Sequence, residues 1–124
     1  MNTPLSVLAL AALAFAALSG CSGEPRLSYQ GNIKPLLDAK CVSCHVPGGP
    51  GTEKSGLRLD SYEAMMKGTR FGPVVVAGSS VSSTLYRLVA GQADPSIRMP
   101  HGQAALPETD VQMIADWIDQ GAKY

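Results

Sequence analysis

Two cysteines and a histidine crowd together at one place in the chain, Cys41-Val42-Ser43-Cys44-His45. Over about one turn of helix, positions i and i+3 face the same way, so thiols at this spacing can meet the two vinyl groups along one edge of a porphyrin and become thioethers. His45 follows directly, placed to put an imidazole nitrogen on the iron from the proximal side. The motif therefore reads as the attachment site of one covalent haem c, with Cys41 and Cys44 as the thioether residues and His45 as the first axial ligand.

The same cysteine spacing also serves disulfides, redox dithiols and half-sites for zinc. A thioredoxin-like dithiol calls for βαβ surroundings, which the sequence does not offer. A zinc site would have to recruit Cys41, Cys44, His45 and His101; adjacent Cys44 and His45 chelate one ion poorly, and exported thiols tend to oxidise.

One histidine fills one face of the iron, and Met99 is the choice for the other. Met65, Met66 and Met113 fall on predicted helices, where methionine fills core space, and Met1 leaves with the leader described below. Met99 lies instead in a polar loop, where burial against a haem accounts for its apolar side chain, and Pro100 restrains its backbone to extended values. A thioether ligand favours reduced iron more than a second histidine does. His101 is the competing ligand. Arg58, Arg70 and Arg98 are candidates for pairing with haem propionates, since guanidinium groups suit carboxylates. Tyr62, Tyr86 and Trp117 read as core or haem-packing side chains.

The elements that must position these residues are short helices. Ile33, Leu36 and Leu37 recur at helical spacing over residues 32–40, with Pro35 in the first turn, so a helix leads into Cys41. Residues 47–51, Pro-Gly-Gly-Pro-Gly, break regular structure and open a loop that runs to about Gly56. A second helix starts at Asp60 or Ser61 and ends at Gly68, a third starts at Ser82 or Ser83 and stops at Gly91, and Val74-Val75-Val76 has no partner strand. The last helix carries Val111, Ile114, Ala115 and Ile118 on one face, with Trp117 at its border, acidic residues in its first turn and Gly121 beyond its end. Residues 92–106 form a long loop holding Met99. The expected fold class is all-α, about four short helices around one haem.

Ahead of this domain, residues 5–18 are apolar and uncharged, too short for the roughly 20 residues of a spanning helix and suited to a signal-peptide core. Leu18-Ser19-Gly20-Cys21 then resembles a bacterial lipoprotein cleavage box, which implies that Cys21 is lipidated and becomes the new N-terminus. No Lys or Arg precedes the apolar stretch, a departure from the usual leader. The expected organisation is a lipoprotein signal peptide at 1–20, a lipid-anchored linker at 21–27 and a monohaem domain at 28–124. Export and haem attachment support each other, because c-type haem is attached beyond the cytoplasmic membrane. All ten basic and all ten acidic residues follow position 20, so the exported part has no formal net charge and nucleic acid is not an expected partner.

With these residues in view, the chain resembles the small planctomycete-type cytochrome c domains, related in layout to class I cytochromes c. The likeness covers about residues 33–122. It rests on Ile33-Lys34-Pro35-Leu36-Leu37 before the haem motif, Gly56-Leu57-Arg58-Leu59-Asp60-Ser61-Tyr62-Glu63, Gly78-Ser79, Ser83-Thr84-Leu85-Tyr86-Arg87, Met99-Pro100 and Trp117-Ile118-Asp119-Gln120-Gly121-Ala122. It implies an all-α fold with His45 and Met99 as axial ligands, although His101 stands where such domains often carry another proline. The expected function is one-electron transfer in the cell envelope, with redox proteins as partners and a lipid anchor in the membrane. No small-molecule substrate is expected. A haem-based sensor or small-molecule binder is the alternative if the sixth iron position is open. No nucleophile and base, phosphate loop or catalytic carboxylate pair accompanies the motif, so an enzyme is not expected.

Overall fold

The computed structural model describes residues 23–124; the leader at 1–20 and the lipidation candidate Cys21 lie outside the described residues. Residues 23–26 are exposed and irregular, and Ser28 begins the folded part by accepting the Gly31 N–H at 3.0 Å. A π-helical turn, Tyr29–Ile33, runs into helix α1, Lys34–Lys40, three residues earlier than the apolar spacing suggested. The remaining helices are α2 (Pro50–Ser55), α3 (Tyr62–Lys67), α4 (Thr84–Val89) and α5 (Glu108–Asp119), with a 3-10 turn at Pro95–Ile97. The fold is all-helical, and no β-strand forms among the described residues.

Helix α2 corrects the expectation of about four helices, because it occupies the stretch read as loop. Its terminal signals are present: Pro50 sits in the first turn, where a missing N–H costs nothing, and Gly56 ends it in the left-handed conformation at φ 81°. What it lacks is an apolar face, since none of its side chains is buried, and without that face periodicity is blind to it. The other ends follow the expected chemistry. Ser61, rather than Asp60, caps α3 by accepting the Ala64 N–H at 3.2 Å, and Gly68 closes it at φ 82°.

One core joins these short elements. Tyr29, Ile33, Leu36 and Leu37 pack with Leu57 and Leu59, Met65, Val74 and Val75, Leu85 and Val89, and Ile114, Trp117 and Ile118. Trp117 is fully buried rather than at the border of the α5 face, and its indole N–H donates to the Lys123 carbonyl at 2.8 Å. Tyr29 makes ring contacts with Trp117, Tyr62 and Tyr124, and the Tyr62 hydroxyl donates to the Ala122 carbonyl at 2.8 Å. The C-terminal turn is thereby tied to the first helical turn.

The segment between α3 and α4 is held without a sheet. Ser83 is fully buried; its hydroxyl accepts the Val76 N–H at 2.8 Å and donates to the Ser79 carbonyl at 2.8 Å. Asp119 of α5 accepts the Ser80 N–H at 2.7 Å and its hydroxyl at 2.9 Å, which fastens this segment to the last helix. Buried backbone groups outside regular structure need such partners.

Candidate functional site

Cys41 is the residue on which α1 ends. Its N–H still donates to the Leu37 carbonyl at 2.8 Å, and then the chain turns, with the Cys44 and His45 N–H groups both reaching the Cys41 carbonyl at 3.1 Å. That tight turn keeps two thiols and one imidazole on a five-residue segment. Both cysteines are half-buried and neither is in a disulfide. Burial pushes the Cys41 thiol up to about 11, and the neighbouring Cys44 adds to the rise.

His45 is buried, and its Nδ1 lies 3.1 Å from the Leu57 carbonyl oxygen. A carbonyl only accepts, so Nδ1 is the donor, and in the neutral ring Nε2 keeps the lone pair that ligates a metal. The Leu57 oxygen also accepts the Thr52 hydroxyl, at 2.8 Å. Helix α2 is strapped to the motif by its backbone: the Gly51 and Thr52 N–H groups donate to the Cys44 carbonyl at 2.9 and 3.2 Å, and Leu59 N–H donates to the His45 carbonyl at 2.8 Å.

The close approach depends on glycine. A Cβ at Gly51 would stand 2.7 Å from His45 Cε1 and 2.8 Å from Nε2, and one at Gly49 would meet the Cys44 carbonyl oxygen at 2.5 Å. The space beside the ring is one that any larger residue would fill. Gly49, Gly51, Thr52 and Leu57 are the site residues that the sequence reading passed over. Two glycines so soon after the histidine were the available signal, but they read equally well as loop punctuation.

Met99 is half-buried and packs against the same core as Cys41 and Val42. Its N–H donates to the Leu88 carbonyl of α4 at 3.2 Å, and the following Pro100 is buried. His101 is exposed. The structure thus separates the two candidate distal ligands, one against the core and one in solvent. Met65 is fully buried as core, whereas Met66 and Met113 are half-buried beside it. Among the described residues no three His, Cys, Asp or Glu side chains gather as a metal site, so the zinc reading finds no support in His101.

The three arginines do not share one groove. Arg58 and Arg70 line one surface groove of about 510 Å³ with Lys67 and Glu63, whereas Arg98 lines another of about 360 Å³ with Tyr86 and Leu106. Neither groove is lined by Cys41, Cys44, His45 or Met99. Arg58 makes a two-pronged pair with Asp60 at 3.1 and 2.7 Å, which holds the Asp60 carboxyl below its usual range. Arg70 donates to the Glu53 carbonyl at 2.5 Å. Tyr86 is half-buried; Tyr62 and Trp117 belong to the aromatic cluster on Tyr29.

The donor set has the chemistry that a c-type haem requires: two thiols on one turn, an imidazole with Nε2 free for iron, and a thioether on a loop held to the core. Val42, Met66, Tyr86, Val111 and Met113 also pack on that core while remaining half-exposed. In comparison with known proteins, the family model described as planctomycete cytochrome C matches residues 41–102. No curated protein and no solved structure matches the chain.

Proposed function

Since the chain belongs to the planctomycete cytochrome C family, we propose that it carries one haem c on Cys41, Cys44 and His45 and acts as a one-electron carrier in the cell envelope. Family membership itself implies covalently bound haem and haem-based electron transfer. The observation that carries the finer reading is the buried His45, whose Nδ1 is engaged by the Leu57 carbonyl, which leaves Nε2 as the ring nitrogen available to iron.

When bound, the haem supplies a one-electron iron couple. The chain's part is to bind and orient. Cys41 and Cys44 would hold the porphyrin through thioethers, and His45 and Met99, the latter held to α4 through its backbone, would supply the ligands to its iron. Two such ligands, if both stay in place, would leave no iron position for a substrate, which favours electron exchange over catalysis or sensing. The acidic side chains of α5 have structural work: Glu108 and Asp110 lie in its first turn, and Asp119 holds Ser80. Cleavage before Cys21 and lipidation of that residue would tether the domain to a membrane outside the cytoplasm, facing redox proteins of the envelope.

The test is an absorption spectrum, oxidised and reduced, of the full chain matured in a host with c-type haem assembly. A low-spin spectrum unaffected by carbon monoxide supports the carrier. A high-spin spectrum that shifts with carbon monoxide transfers the reading to sensing or catalysis, and absence of haem from folded, exported protein overturns it.

A further inference from the structure

Helix α2 adds no buried side chain to the core, yet it encloses the imidazole of His45 from Gly51 to the carbonyl after its end. Its Thr52 hydroxyl and the His45 Nδ1–H meet on one acceptor, the Leu57 oxygen, at 2.8 and 3.1 Å. The carbonyl is not free to drift away from either donor. Leu57 N–H donates to Ser55 Oγ at 3.1 Å, Ser55 Oγ donates to the Gly51 carbonyl at 2.7 Å, and the Leu57 side chain is buried.

We propose that Thr52 is a positioning residue that sets the reduction potential of the iron, by sharing the Leu57 carbonyl with His45 and so limiting the strength of the Nδ1 hydrogen bond. The proposal rests on the reading of His45 as an iron ligand. Two donors on one oxygen divide its electron density, and the shorter of the two bonds here is the hydroxyl's. A stronger Nδ1 hydrogen bond makes the imidazole more basic toward the metal, which favours oxidised iron. Thr52 therefore holds the potential up. In a buried site this influence is not screened by water.

The experiment compares the midpoint potential of the haem-loaded wild type with that of Thr52→Val, which removes the hydroxyl at nearly constant shape, and Thr52→Ser, which retains it. The expected result is a shift to lower potential in Thr52→Val, little change in Thr52→Ser, and a downfield move of the His45 Nδ1 proton resonance in reduced Thr52→Val. If Thr52→Val fails to mature, Thr52→Ala carries the same expectation. A purely structural role predicts the opposite sign, because a loosened Leu57 carbonyl weakens the Nδ1 bond and raises the potential. A raised or unchanged potential in protein that holds its haem overturns the proposal alone. Failure of the wild type to bind haem overturns the underlying reading with it.

Discussion

Replacement of Gly51 by alanine is the sharpest perturbation of the packing around His45. The new Cβ would lie 2.7 Å from Cε1 and 2.8 Å from Nε2, whereas carbon atoms settle at about 3.5 Å, so something must retreat by roughly 0.8 Å. The ring cannot do so freely, because it is buried and its Nδ1 is bonded to Leu57. The start of α2 is no freer, since its Gly51 N–H is bonded to the Cys44 carbonyl. Overpacking of this kind costs about 1–3 kcal/mol, and alanine returns up to about 1 kcal/mol of helix propensity. At a mid-range overpacking cost of about 2 kcal/mol the net loss is about 1–2 kcal/mol, and each kcal/mol lowers Tm by about 4–8 °C in a domain of this size.

Thermal unfolding of the haem-loaded chain can be followed through Trp117, the one tryptophan and fully buried, while the oxidised spectrum reports ligation. The Gly51→Ala variant is expected to melt earlier and to lose part of its low-spin signal. Gly23→Ala, at a position where a Cβ meets nothing within 4 Å, serves as the control with no change. A Gly51→Ala protein with wild-type Tm and wild-type spectrum would refute the claim that α2 needs this glycine in order to approach the imidazole.

Three further outcomes are expected. Met99→Ala converts the iron to a high-spin form that responds to carbon monoxide, whereas His101→Ala leaves the spectrum unchanged; the reverse pattern would exchange their roles. Ser83→Ala removes from a fully buried side chain the hydroxyl that serves both the Val76 N–H and the Ser79 carbonyl, at a cost of about 0.5–1.5 kcal/mol per lost hydrogen bond, read as a lower denaturant midpoint. Because Arg58 holds the Asp60 carboxyl below its usual range, the pair contributes stability above the ordinary aspartate value of about 4 and loses it as pH falls through the lower folded value. Asp60→Asn therefore narrows the stability difference between about pH 5 and pH 2. The change is small because the pair is open to solvent, with the Arg58 and Asp60 side chains 44% and 28% exposed.

Much of the frame was legible because it is local chemistry. Helix α1 announces itself by Ile33, Leu36 and Leu37, α3 by the Ser61 cap and the Gly68 stop, and α5 by an apolar face that the structure buries at Ile114, Ala115 and Ile118. Helix α2 escaped because its sequence, Pro-Gly-Thr-Glu-Lys-Ser, has no apolar residue to betray a period. Trp117 was placed at an edge because spacing along one helix ranks its faces but does not reveal how many neighbours close over each. Here Tyr29 and the C-terminal turn cover the indole from outside α5.

The sequence by itself determined the reactive set and its family: two thiols and an imidazole at fixed spacing need only chain connectivity to stay together. Tertiary structure alone decided how they are aimed. The acceptor for His45 Nδ1 lies twelve residues along the chain at Leu57, and the space beside the ring depends on Gly51 of a helix with no apolar signature. Met99 and His101 are two residues apart, yet one packs on the core and the other faces water. Such choices depend on where distant segments meet. Spacing establishes which side chains travel together, and only packing establishes what each one touches.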